Sequence, residues 1–220
     1  MTVRRGRFVT FEGGEGAGKS TQLRFLAEWL EAQGLAVVTT REPGGTPGAE
    51  RIRKLLVEGD ADAWIPTTEA LLHYAARVEH VERVVRPALA AGRWVLSDRF
   101  ADSTMAYQGY GHRLGPARIA ALHRAALGGF KPDLTLVLDQ GVARGLARAA
   151  ARRGRETRYE SMTPAFHRRV RAGFLEIARA EPDRCAVVDA RGTIDQVQAR
   201  VRKALAPLLG VAARRAPSRG

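Results

Sequence analysis

The stretch GGEGAGKS at 13–20 carries the clearest chemistry in the chain. Gly13, Gly18, Lys19 and Ser20 fill the spacing G-x-x-x-x-G-K-[ST], with an apolar run before it and a helical pattern after it. Each residue type has a physical reason. Glycines let backbone N–H groups approach anionic oxygens closely, and the helix N-terminus adds a partial positive charge. Lys19 can reach β- and γ-phosphates as a point charge, and Ser20 can offer a hydroxyl to Mg²⁺. Gly13, Gly14, Glu15, Gly16, Ala17, Gly18, Lys19, Ser20 and Thr21 therefore form a candidate site for the triphosphate of ATP. Glu15 is the anomaly, because it puts a carboxylate in the middle of an anion cradle.

Other residues could serve a second substrate. Asp98 and Arg99 close an apolar run. The acid could hold a Mg²⁺-bound water or accept a proton, and the arginine could clamp an anion bidentately. The competing reading is a surface salt bridge. His73, Tyr74 and Arg77 share one side of a helix by i,i+3/i+4 spacing and could line a base pocket. On spacing alone, a core Tyr74 and a solvated Arg77 is the stronger alternative. A switch GTPase would need an Asn-Lys-x-Asp element, and the chain has no asparagine. A nucleic-acid motor would need more chain and more stacking positions than an aromatic content of 6% supplies. A small phosphotransferase fits best.

These residues need a scaffold. Five apolar runs read as strands, at 7–12, 35–40, 93–99, 133–139 and 185–190. Helical periodicity occupies 19–33, 49–58, 67–92, 101–108, 116–128, 142–152, 163–180 and 193–209. Thr67 or Thr68 is the expected N-cap of the long third helix, and Pro87 the expected site of a kink. Pro116 suits a first helical turn. The alternation predicts an α/β fold: a parallel sheet covered by helices on both faces. Ligands in such sheets bind beyond the carboxyl ends of the strands. That rule gathers the loops at 13–20, 41–48, 98–108 and 140–160 on one rim.

The chain has 220 residues, enough for one domain, with a net charge of +13 that is mostly arginine. The charge allows anionic partners or a merely arginine-rich surface. A basic nucleic-acid-binding protein is one such alternative. Cys185 is the single cysteine, so no intrachain disulfide can form, which fits a reducing cytoplasm. No apolar run nears the ~20 residues that span a bilayer, so no membrane partner is expected. The basic start at 1–8 leads into a glycine-rich acidic segment, which argues against a signal peptide. The tail at 211–220 has Pro, Ser, Gly and Arg without periodicity and reads as disordered.

Together the segments FEGGEGAGKST, TREPGGT, YAARVEHVERVVRPALAAGRWVLSDRF, ADSTMAYQGYG, KPDLTLVLD and RYE resemble the bacterial thymidylate kinase (dTMP kinase) family. The resemblance spans residues 7 to about 205. It implies a three-layer P-loop kinase fold with a five-stranded parallel sheet and a short basic lid at 148–160, in one domain over 1–210. It implies transfer of the ATP γ-phosphate to dTMP, a homodimer, and no nucleic-acid partner. Arg99, helped by Arg53 and Arg41, would hold the dTMP phosphate. Arg77 would read a thymine carbonyl. Ser103, Thr104, Tyr107 and Gln108 would line the base and sugar pocket. Glu15, Asp98 and Ser20 would manage Mg²⁺ and its water, with Glu15 also facing the sugar. A cis Glu42–Pro43 bond is expected.

The chain departs from the family twice: His73 stands where a phenylalanine stacks on thymine, and Thr157 replaces a lid acid. His73 motivates the alternative of a kinase for dUMP or UMP. With no arginine inside the phosphate loop, the lid arginines Arg152, Arg153 and Arg158 are expected to close on the γ-phosphate beside Lys19, which would also exclude water.

Overall fold

The structure, a computed structural model, describes residues 6–151 and 158–213. Five strands form one parallel sheet: β1 (Phe8–Glu12), β2 (Val37–Arg41), β3 (Trp94–Asp98), β4 (Leu134–Asp139) and β5 (Cys185–Asp189), in the order β2-β3-β1-β4-β5. The expected strands lie within two residues of these bounds. β1 and β4 are buried along almost their whole length, as continuous apolar runs require. Register places Phe11 beside Asp98 and beside Leu136, so the carboxyl ends of the three central strands stand together. At mid-sheet the Thr10 and Thr135 hydroxyls pair at 2.9 Å, which satisfies two buried polar groups with one hydrogen bond.

The helices are α1 (Lys19–Ala32), α2 (Pro47–Val57), α3 (Pro66–His80), α4 (Arg86–Ala90), α5 (Ala101–Thr104), α6 (Pro116–Leu127), α7 (Val142–Ala150), α8 (Pro164–Ala180) and α9 (Ile194–Ala213). One face of the sheet packs on α1 and α9 through Leu26, Leu30, Leu136, Val201 and Leu205. The other packs on α8 and on α4 through Phe174, Leu89 and Phe100.

The helix ends differ from the sequence reading in instructive ways. α3 starts at Pro66 with Ile65 as N-cap, not at Thr67 or Thr68. A first-turn proline has its φ preset and no N–H to orphan, so it outcompetes a hydroxyl cap one residue later. The long helix changes its hydrogen-bond register just before Pro87. It widens into a π turn, Val81–Val85, in which Arg86 N–H reaches back five residues to Val81 O. A proline cannot supply its own N–H to the ladder, and this register shift re-pairs the backbone around it. A second π turn, Met105–Gly111, extends α5 past the expected end at residue 108. No helix among the described residues is long and apolar enough to cross a membrane.

Candidate active site

The cradle sits between β1 and α1. Gly13 at φ 130° and Gly18 at φ 90° occupy backbone regions that side chains disfavour. Gly18 is the N-cap of α1, so the loop's amides open onto a helix N-terminus. Lys19 Nζ donates to Gly13 O at 3.2 Å and Gly14 O at 2.9 Å. Burial, with the neighbouring Arg99 charge, pushes the Lys19 ammonium down to about 8, although Asp98 and Glu15 oppose this. Ser20 Oγ donates to Asp98 Oδ2 at 2.5 Å. β3 delivers Asp98 to that position because it pairs with β1 directly.

Ser20 and Asp98 fit a Mg²⁺ ion. Both are hard oxygen donors, and no cluster of three His, Cys, Asp or Glu among the described residues offers a complete cage. Mg²⁺ is usually held by one or two protein oxygens with waters and phosphate.

Arg99 follows Asp98 in a left-handed conformation, φ 73°, unusual for a residue with a side chain. The turn throws its guanidinium back over the cradle. Nη1 donates to Gly13 O at 3.1 Å and Ser103 Oγ at 3.0 Å. Nη2 donates to Glu15 Oε1 at 3.0 Å and Tyr107 OH at 3.1 Å. The Tyr107 hydroxyl donates to Glu15 at 2.7 Å. Burial works to raise the Glu15 carboxyl, yet the Arg99 and Lys19 charges win and hold it at about 2. Glu15 thus turns sideways onto Arg99 and Tyr107. Its contacts are with Arg99 and Tyr107, while Ser20 and Asp98 form the hydroxyl–carboxylate pair that fits Mg²⁺.

Sequence reasoning missed Glu12. It is fully buried at the end of β1, where Oε1 accepts from Phe100 N at 2.7 Å and Ser103 N at 3.3 Å, and Oε2 accepts from Ser103 Oγ at 2.5 Å. It caps α5 from another strand, since Phe100 has no capping oxygen of its own. Burial, then Asp102, pushes its carboxyl up to about 8. An acid at the carboxyl end of the apolar run FVTFE was the available signal.

Arg77 is 2% exposed. Nε donates to Glu42 at 2.7 Å, and Nη2 donates to Phe100 O at 3.1 Å and Thr104 Oγ1 at 2.9 Å. Its Nη1 is buried with no partner among the described residues. Glu42 also pairs with His80 Nδ1 at 2.8 Å, and His80 Nε2 meets Thr40 Oγ1 at 2.7 Å. The Glu42–Pro43 bond is cis. Arg53 Nη1 donates to Pro43 O at 2.6 Å.

Between these groups lies a cavity of 110 Å³ whose wall includes Arg53, His73, Arg99, Ser103, Tyr107 and Gln108, with Glu15 toward the cradle. Six expected substrate residues therefore converge. Four others do not line it: Arg77 and Thr104, hydrogen-bonded to each other behind the wall, and Tyr74 and Arg41. Tyr74 is not in this cavity: it packs in the core with Ala70 and Ile119, its ring 4.8 Å from the Arg77 guanidinium carbon. One residue is a 100° step round a helix, so Tyr74 cannot share the face of His73. Arg41 turns to Glu50 at 3.1 Å and is exposed.

Arg158 is the largest correction. It is fully buried and ion-paired with Glu69, also fully buried, with Nε donating to Asp60 O at 2.9 Å, Nη1 to Leu56 O at 3.1 Å and Nη2 to Ala61 O at 3.0 Å. Each of its nitrogens is engaged, so it cannot swing onto a phosphate. Arg152 and Arg153 lie outside the described residues. Arg148 is the lid arginine that the structure places near the cradle: a Cβ built on Gly18 would lie 3.9 Å from Arg148 Nη2.

Known proteins agree with this geometry. The chain matches the family described as thymidylate kinase over residues 11–201. It is 58% identical over 207 residues to the thymidylate kinase of Caulobacter vibrioides, covering 94% of this chain and 99% of that one. It is 53% identical over 212 residues to the thymidylate kinase of Cereibacter sphaeroides, covering 94% and 98%. A solved thymidylate kinase from Ehrlichia chaffeensis superposes with a TM-score of 0.74 at 37% identity, covering 92% of this chain and 99% of that one. The chain belongs to the thymidylate kinase family, and so to the ATP-dependent nucleoside-monophosphate kinases.

Proposed function

We propose that the cradle at 13–20 holds the triphosphate of ATP, that the cavity beside Arg99 holds dTMP, and that the γ-phosphoryl passes between them to give dTDP and ADP. Arg99 carries the reading. One guanidinium touches Gly13 O of the cradle and lines the acceptor cavity, so it can hold an acceptor phosphate in line with the donor. Arg53 supplies a second cation on the same wall. Arg77 Nη1 is the donor for a base carbonyl. His73 and Tyr107 present aromatic faces, and Gln108 and Ser103 supply polar contacts. Lys19 stabilises charge on the transferring group, and Arg148 is the arginine positioned to join it. Mg²⁺, held through Ser20 and Asp98, would neutralise β- and γ-phosphate oxygens when bound. The tightly paired Glu15 keeps Arg99 aimed across the cradle.

The test is a turnover panel of the purified chain with ATP and Mg²⁺ against dTMP, dUMP, UMP, CMP, AMP and GMP. dTMP is expected to give the highest kcat/KM, and chelation of Mg²⁺ to abolish it. Equal or better use of another monophosphate favours the second reading, a dUMP or UMP kinase, which rests on His73. Tight DNA or RNA binding with a steep salt dependence would instead favour the nucleic-acid reading. The proposal includes a homodimer in the cytoplasm. Ile65 and Leu71, exposed at the start of α3, offer apolar surface to a second copy. Sedimentation should then give twice the 24.0 kDa chain mass, and a monomer would refute the dimer.

A further inference from the structure

Behind the acceptor cavity lies a cluster that phosphoryl transfer itself does not use. Tyr159 OH is 2.8 Å from His73 Nε2, and Gln108 Nε2 points at the same oxygen at 3.5 Å. The Tyr159 ring stands edge-on to Tyr107, centroids 5.4 Å apart at 83°. His73, Gln108, Tyr107 and Tyr159 all line the cavity. The neighbouring Arg158 is bolted to the end of α2 and the start of α3 by the Glu69 pair and three carbonyls, and its guanidinium lies over the Tyr159 ring at 5.3 Å. Tyr159 is therefore a fixed wall of the cavity, with Arg158 behind it.

The contact with Tyr159 constrains the protons of His73. Burial above all pushes the His73 imidazolium down to about 3, so the ring is neutral at working pH. A neutral imidazole has one N–H and one lone pair. Tyr159 OH meets His73 Nε2 at 2.8 Å, and the one proton shared between them settles which ring nitrogen carries the N–H.

We propose that Tyr159 is a positioning residue for the acceptor base: its hydroxyl holds His73 Nε2 and so sets both the plane and the tautomer of the ring that faces the base. The proposal rests on the reading of this cavity as the acceptor site. His73 can serve as a flat neutral surface only while something fixes its tautomer and rotation, because a free imidazole samples two tautomers and a broad χ2. Tyr159 supplies that constraint, and the Arg158–Glu69 anchor holds Tyr159 in place.

The experiment is a double-mutant cycle on the full chain with ATP, Mg²⁺ and dTMP. Turnover of dTMP by the unaltered chain checks the acceptor reading separately from the role of Tyr159. In Tyr159→Phe the KM for dTMP should rise about fivefold or more, the scale of one lost hydrogen bond, while the KM for ATP stays within about twofold. In a His73→Phe background, which has no ring nitrogen to hold, the same Tyr159→Phe change should alter the dTMP KM by less than about twofold. Imidazole ¹⁵N NMR of folded Tyr159→Phe should show His73 moving from a single tautomer to a tautomer mixture, a readout that holds even where the double variant is poorly stable. An unchanged dTMP KM in Tyr159→Phe, equal losses in both backgrounds, or an unshifted His73 tautomer would each overturn the proposal.

Discussion

At Glu15, burial opposes ionisation and two cations favour it. The cations prevail, so the folded pKa of about 2 lies below the unfolded value of 4.5. A depressed carboxylate stabilises the folded state fully above pH 4.5, and that stability is lost as pH falls toward 2. In urea titrations, wild type should therefore lose more stability than Glu15→Gln between those two values. Parallel pH profiles would show that the Arg99–Glu15–Tyr107 contacts do not hold in solution. This residue also shows what single positions disclose. Gly13 to Ser20, Asp98 and Arg99 were legible because a local motif and a strand end specify their neighbours. Glu15 was legible as an anomaly, but its partner was not, since Tyr107 comes from a distant π turn. Arg158 was misread for the same reason. An arginine in a basic stretch looks solvated until the fold brings Glu69 and three carbonyls around it.

The elements around the cradle explain why α7 belongs to the donor side. Its Gly145 packs backbone-to-backbone on the loop: a Cβ there would run into Glu15 O, and a Cβ on Gly16 would run into Gly145 O. Neither neighbour is a flexible side chain, so the contact cannot relax cheaply. Gly145→Ala is expected to push α7 off the loop, at about 1–3 kcal/mol of overpacking. The KM for ATP should rise with that displacement, more than the KM for dTMP, and equal changes in the two would refute the contact. α7 also carries Arg148 to within reach of Gly18. If Arg148 stabilises the transferring phosphoryl group, Arg148→Ala should lower kcat by about 10³-fold, the lower range for an arginine finger. A loss within about twofold would remove Arg148 from the chemistry. Element existence was legible throughout, because buried parallel strands are continuous apolar runs and the helices between them keep a 3.6-residue period. The two π turns were not legible, because a register shift of one hydrogen bond leaves side-chain periodicity almost unchanged.

Across the whole molecule, the Arg158–Glu69 pair joins the last third of the chain to the helix that carries His73 and Arg77. Both partners are fully buried, and Glu69 is held down to about 2 despite burial, by His112, His73 and Arg158. Such a pair is costly to break from one side only, since the orphaned charge remains in a low-dielectric interior; removing one partner typically costs about 3–5 kcal/mol. For a chain of 220 residues, each kcal/mol lowers Tm by about 2–4 °C. Arg158→Ala should therefore lower Tm by about 6–20 °C. A role on the γ-phosphate predicts the opposite pattern, a kcat loss of about 10³-fold with Tm nearly unchanged. Pairing Arg158→Met with Glu69→Gln removes both charges together and should recover much of the lost Tm, because replacing a whole buried ion pair is far cheaper than halving it. If the double variant melts as low as Arg158→Ala, the loss comes from the guanidinium's bonds to Leu56, Asp60 and Ala61 instead, and the anchor is a backbone clamp rather than an ion pair.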